Sequence, residues 1–89
     1  MTTQWPYRSI DYLIGAYQAL APDWNNAPTW ARWCAIDADG ERIWHVDKPQ
    51  LNEFQHVWLS GTGLRGEKFA LPLGIDWRLC IWQRPEVTA

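Results

Sequence analysis

Cysteine is scarce in this chain. Cys34 and Cys80 are the only two, too few for a disulfide framework, and the expected state is a pair of buried thiols in a reducing compartment. Long apolar runs are also missing, since none approaches the ~20 residues that a bilayer-spanning helix needs. The opening MTTQWPYRSIDYLIGAYQAL lacks the basic start, apolar stretch and small-residue cleavage site of a secretory leader. A cytoplasmic protein with no membrane association is the expectation. Charge of one sign is lacking too. Eight Lys and Arg face ten Asp and Glu for a formal charge of −2, with the signs interspersed along the chain. That balance supplies neither the basic stripe of a phosphate-neutralising nucleic-acid binder nor the acidic excess of a DNA mimic.

Tryptophan is what the chain has in abundance, with eight in 89 residues. A chain of this length makes one domain, residues 1–89, with a modest core. Each aromatic side chain can bury ~150–250 Å², so the core is expected to consist of a few large pieces.

Residues 1–7 read as a lead-in, because Pro6 forces Trp5 into an extended backbone. The spacing of Ile10, Leu13, Ile14, Tyr17 and Leu20 then predicts a helix over 9–21. Ser9 would be its N-cap and Asp11 would sit in the first turn, where the helix dipole favours negative charge. APDWNNAPT (21–29) is a polar loop bracketed by prolines. Trp30 to Asp37 and Glu41 to Asp47 read as two strands joined by ADG, with Gly40 in the left-handed position of a hairpin loop. Pairing Ile36 with Arg42 sets Cys34 opposite Trp44, and it puts Trp33, Ala35, Ile43 and His45 on the other face. A bulge at Gly40 would shift that register by one. DKPQLNEFQ (47–55) is turn-like, HVWLS (56–60) a third strand, GTGLRGEK (61–68) a mobile loop and KFALPL (68–73) a short extended piece. Ile75 to Gln83 reads as the last strand, stopped by Pro85, with 84–89 as a tail.

One helix face buried against one sheet face gives an α+β domain. The N-terminal helix packs on a small three- to four-stranded, mostly antiparallel sheet built on a central β-hairpin, the sheet spanning 30–83. In a regular strand Trp77 and Trp82 point to opposite faces, and so do Trp30 and Trp33. One helix covers one face, so some tryptophan is expected on an uncovered side or in loops. Trp24, Trp30, Arg32, Trp33, Arg78 and Trp82 are the candidate partner-binding residues, since exposed tryptophan beside arginine can fill a protein pocket or stack on bases.

The chemistry-bearing residues favour structural roles. In an EF-hand loop with Gly40 at position 6, Ala35 would stand at position 1 and Val46 at position 12, where acidic ligands are required. DADG therefore reads as a turn. Cys34, His45, His56 and Cys80 are zinc-ligand types without close ligand spacing. His45 and Asp47 share a strand face but no nucleophile is marked, and Cys34 lies on the opposite face. GTGLRG continues as Glu-Lys-Phe, not as the glycine-lysine-Ser/Thr ending of a phosphate loop. No catalytic, cofactor or metal residues are assigned, and no enzyme is expected.

Ala35, Asp37, Asp39, Gly40, His45 and Pro49, then Trp58, then Asp76, Trp77, Arg78, Leu79, Arg84 and Pro85 form a pattern. It resembles small bacteriophage- and prophage-encoded proteins of the form AxDxDG, P, W, DWR, RP. His45 stands where that pattern has an aromatic residue, with Trp44 beside it. The resemblance covers roughly residues 30–86 and implies origin, not a reaction. It points to a phage-type accessory protein in the bacterial cytoplasm that binds a protein, as an inhibitor or modulator of a host protein or defence system. Two other readings are a single-stranded nucleic-acid or nucleotide binder using exposed Trp and Arg, and a self-associating, dimeric structural protein.

Overall fold

The computed structural model describes residues 10–86. The lead-in 1–7, the Ser9 cap and the last three residues of the tail lie outside them. A helix, α1 (Ile10–Leu20), is followed by β1 (Trp33–Ile36), β2 (Glu41–His45), β3 (Gln50–Asn52), β4 (Val57–Leu59) and β5 (Leu64–Lys68). A 3-10 turn (Trp77–Leu79) and β6 (Ile81–Gln83) complete the order. The fold is α+β. A four-stranded antiparallel sheet runs β5-β2-β1-β6, and a separate two-stranded sheet pairs β3 with β4.

The central hairpin has the expected register, with Ile36 opposite Arg42 and Cys34 opposite Trp44. Gly40 takes φ +87° and turns the chain without shifting the ladder. The same glycine also permits a close approach, because a Cβ there would lie 1.8 Å from the Phe69 carbonyl oxygen. Asp39 helps to close the turn by accepting the Glu41 N–H at 3.1 Å. The strands are shorter than the sequence suggests, and Trp30, Val46 and Asp47 fall outside them.

One face of the sheet carries Cys34, Ile36, Arg42, Trp44 and, through its pairing with Cys34, Trp82. Here Leu20, Ile36 and Cys80 form the buried core, with Tyr17, Phe69, Leu71, Ile75 and Trp82 packed around it. Only the last turns of α1 reach this core, and Ile10 and Ile14 remain exposed. Arg42 holds the helix end. Its guanidinium donates to Leu20 O at 2.9 Å and to Cys34 Sγ at 3.2 Å, and it lies between the rings of Trp44 and Phe69. A cation at a helix C-terminus also complements the macrodipole.

The other face is not left open, which corrects the expectation of an uncovered side. The segment read as a turn, 50–52, is a strand that pairs with β4, and Trp58 of β4 is buried. Asp37 at the end of β1 accepts the Trp58 N–H at 2.8 Å, and Ala38 N–H donates to His56 O at 3.2 Å. Beyond β4 the chain crosses so close to β2 that a Cβ on Gly63 would meet Ile43 Cγ2 at 3.1 Å.

The glycine-rich segment read as a mobile loop then becomes β5, an edge strand on β2. KFALPL adds no strand beyond Lys68. The predicted last strand is also broken. Asp76 caps a 3-10 turn by accepting the Arg78 N–H, so the Trp77 and Trp82 parity argument fails for lack of a continuous strand. Arg84, read as tail, continues the ladder by donating to Arg32 O at 2.8 Å.

Replacing Gly40 with alanine combines a disfavoured φ with a backbone clash. Gly40→Ala should cost at least about 2 kcal/mol, read as a lowered urea midpoint. Gly15→Ala, with open space around its Cβ position, should leave the midpoint unchanged or raise it.

Candidate functional site

The six candidate partner-binding residues separate in space. Trp24 is half-buried, edge-on to Trp44 at 5.7 Å between ring centroids and under the Arg84 guanidinium at 5.5 Å. Trp82 is half-buried against the core. Arg78 lies elsewhere, in a cleft with Glu53, His56 and Trp77. It is gripped there by both oxygens of Asp76 at 2.9 Å and by Glu53 at 2.8 Å. This fork holds the Asp76 carboxyl below its ordinary range. Arg32 and Trp33 do come together. With Val46, Gln83, Arg84 and Pro85 they line a cleft of about 590 Å³ at the start of β1, and Glu86 supplies an acid at its rim. Trp30, two residues upstream of Arg32, is 40% exposed.

Two residues of this site were not among the candidates. Lys48 places its ammonium 5.4 Å from the centroid of the Trp33 ring. Arg84 donates to the carbonyls of Pro28, Ala31 and Trp24 at 3.0 to 3.2 Å, which ties the loop after α1 to the strand end.

The other described cations pair with carboxylates: Arg42 with Glu67, Arg65 with Glu41, Lys68 with Asp39, and Arg78 with Asp76 and Glu53. Among the described residues, the three without a carboxylate partner are Arg32, Lys48 and Arg84; Arg84 lies over Trp24 on the helix side of the sheet, Lys48 over Trp33 on the other, and Arg32 beside Trp33 at the start of β1. Arg32 and Arg84 share the cleft with Trp33 and with Glu86 at its rim, while Lys48 lies over the Trp33 ring.

The remaining polar clusters are tied into the fold. The carboxylate oxygens of Asp37, Asp39 and Glu41 lie within 4.8 Å of one another, and their ties are the Trp58 and Glu41 N–H groups, Lys68 and Arg65. Burial pushes the Asp37 carboxyl up, and the charges of Asp39 and Glu41 add to this against the Trp58 N–H, which lowers it. Glu41 N–H holds Asp39 low. Cys34 and Cys80 are buried thiols pushed up to about 11 by burial. They belong to the helix side of the sheet, whereas His45 belongs to the other face and His56 is exposed.

His45 has a neighbour that its sequence position did not reveal. Its Nδ1 lies 2.5 Å from Ser60 Oγ, which takes the Thr62 N–H, while Thr62 Oγ1 takes the Val46 N–H. The Nε2 of His45 is buried without a partner. A proton on Nε2 would be an orphaned donor, so the favoured tautomer carries it on Nδ1 and donates to Ser60. In that form the pair fastens the 60–63 loop to β2, and His45 is not poised to deprotonate Ser60.

Compared with protein families, with curated proteins and with solved structures, the chain matches none. Among the described residues no helix is long and apolar enough to cross a membrane.

Two pH effects of opposite sign follow. Burial lowers the pKa of His45 from its ordinary 6.5, so its contribution is intact above that value and is lost as pH falls below it. Urea midpoints should decline on acidification from pH 7, and His45→Gln should flatten that limb. Asp37 has a raised pKa, so stability is lost as pH rises from its ordinary 3.8 through the folded value. Asp37→Asn keeps an acceptor for Trp58 and should gain on the wild type between acid and neutral pH. Asp37→Ala should lose about 1–3 kcal/mol by orphaning that N–H.

Proposed function

We propose that this chain is a small phage-type accessory protein, without enzymatic activity, that binds another protein through the Arg32–Trp33 end. The observation that carries the reading is the gathering of Arg32, Lys48 and Arg84, unpaired with carboxylates, around half-buried indoles in a chain of net charge −2. Every unpaired cation could have been scattered over the surface at little electrostatic cost. Arg32 and Arg84 at one cleft, with Lys48 against its Trp33 wall, raise a local positive potential that steers and holds an anionic partner. Aromatic side chains beside arginine are the residue types that anchor protein interfaces. The resemblance to small phage proteins supports the same reading, with action in the bacterial cytoplasm.

The same cations favour a second reading, in which the cleft tracks the backbone of single-stranded nucleic acid. A protein partner suits the cleft better. Lys48 already occupies the Trp33 ring, so a base could stack on that ring side only by displacing it.

Affinity purification from host lysate with wild type and with an Arg32→Glu/Lys48→Glu variant provides the test. Both side chains are at the surface, so the thermal midpoint should hold. Recovery of the protein partner should fall at least about tenfold and should weaken with added salt in the wild type. Equal recovery by the variant would refute the cleft. Oligothymidylate quenching of tryptophan fluorescence at low salt, abolished in the variant, would transfer the site to nucleic acid.

A further inference from the structure

The cationic cleft opens onto a sheet edge that pairs with no other strand among the described residues. Arg84 N–H donates to Arg32 O, Ile36 N–H donates to Cys80 O, and Cys34 lies opposite Trp82. Alternate residues of an antiparallel strand bond to the same neighbour, so residues 80, 82 and 84 face β1. The backbone N–H and C=O groups of Ile81 and Gln83 therefore point away from the sheet. They make no hydrogen bond among the described residues, and β6 is the last strand in the sheet order.

The two edges of this sheet are not alike. The register between β2 and β5 shifts between Glu41 and Ile43, with β5 carrying an extra residue, and the strand bears Arg65, Glu67 and Lys68. A bulge and charged side chains are what blunts an edge against further pairing. Ile81, Trp82 and Gln83 carry neither device. Their open edge runs into the cleft through Gln83, Arg84 and Pro85.

Resting on the protein-binding reading above, we infer that β6 accepts an extended acidic segment of the partner protein as an added strand. The segment pairs its backbone with Ile81 and Gln83. Where it runs past Gln83 it enters the cleft, and its carboxylates meet Arg32 there, with Lys48 held against the Trp33 ring of the cleft wall. Main-chain pairing at Ile81 and Gln83 fixes the register of the segment, and the side chains beyond the edge add affinity and supply selectivity. The charge of the cleft sets that selectivity as acidic.

Two capped synthetic peptides serve as probes, each with alternating Val and Thr at its centre and a run of either Glu or Gln at both ends, so that either strand direction brings the run to the cleft. Titrated at low salt into the isotope-labelled chain, the Glu peptide should shift the Ile81 and Gln83 amide resonances and slow their hydrogen exchange. The Gln peptide should bind at least about tenfold more weakly, and so should the Glu peptide to Arg32→Glu. Gln83→Pro removes an outward N–H but none of the bonds to β1, and it should likewise lose the peptide while keeping the native resonances of β1 and β2. Unmoved Ile81 and Gln83 amides, or equal binding of the two peptides, would overturn the proposal. Partner capture separates this failure from the broader one. Capture that is lost in Arg32→Glu/Lys48→Glu but intact in Gln83→Pro retains the cleft and rejects strand addition. Capture indifferent to both rejects the two together.

Discussion

Cys34, Ala35 and Ile36 are each without solvent exposure, so the short central strand has to be roofed on both of its faces. Adjacent residues of a strand point to opposite sides, and a single eleven-residue helix can cover one of them. The chain meets this by sending β3, β4 and the loop that follows across the face that α1 does not reach. Asp37 is the fastening for that second cover. Its carboxylate stands at the end of β1 and takes the Trp58 N–H, which brings the β4 indole down beside the sheet. The cost is a buried carboxylate next to Asp39 and Glu41, and its upward pKa shift records that cost. On the helix side, the corresponding fastening is Arg42, whose guanidinium meets the last carbonyl of α1 and two aromatic rings.

The same fastenings decide where charge is left over. Arg42 is used inside the fold, while Arg65, Lys68 and Arg78 are drawn to carboxylates of the hairpin turn and the 3-10 turn. Arg84 differs in kind. Its partners are neutral carbonyls, which fix its geometry without cancelling its charge. A guanidinium held in this way serves two ends at once: it staples the loop of residues 24–31 and leaves a full positive charge at the mouth of the cleft. Exposed Arg32 and Lys48 complete the cluster at little cost in stability, because water screens unpaired surface charge.

How much of this was legible in the sequence depended on the range of the interactions involved. The central hairpin could be read residue by residue, since alternation and the Asp-Gly turn are local, and the one-residue shift that a bulge at Gly40 would bring does not occur. The second hairpin could not. Gln50–Asn52 and Val57–Leu59 are three residues each, too short to show a period, and Pro49 and Asn52 read equally well as turn residues. LRGEK carries no apolar alternation because β5 is exposed along its whole length; it is a strand only because β2 offers it a partner. Asp76 capping Arg78 broke the last strand through a side-chain bond that outweighed the run of apolar residues. Arg32 and Trp33, singled out by residue type, line one cleft, whereas Lys48 and Arg84 join them only through tertiary closure. Arg78 was chosen on the same grounds as Arg32, and it is the presence of Asp76 and Glu53 that sets the two apart.

Edge and charge are linked by the strand order. With β1 and β2 central, the two edges fall to β5 and β6, and the ion pairs of the sheet collect on the β5 side, where Arg65 meets Glu41 and Lys68 meets Asp39. Those pairs and the bulge close that side to further pairing. At the β6 side the ladder bonds of Arg84 and Cys80 orient the backbone, so that Ile81 and Gln83 turn their polar groups outward. An edge of three residues is too short to be an aggregation hazard by itself, since stable pairing needs more than two or three backbone bonds to offset the ordering of a free chain. Discrimination must then come from what lies beyond the edge, and at this end of the molecule that is a cluster of cations which the fold itself has left unpaired.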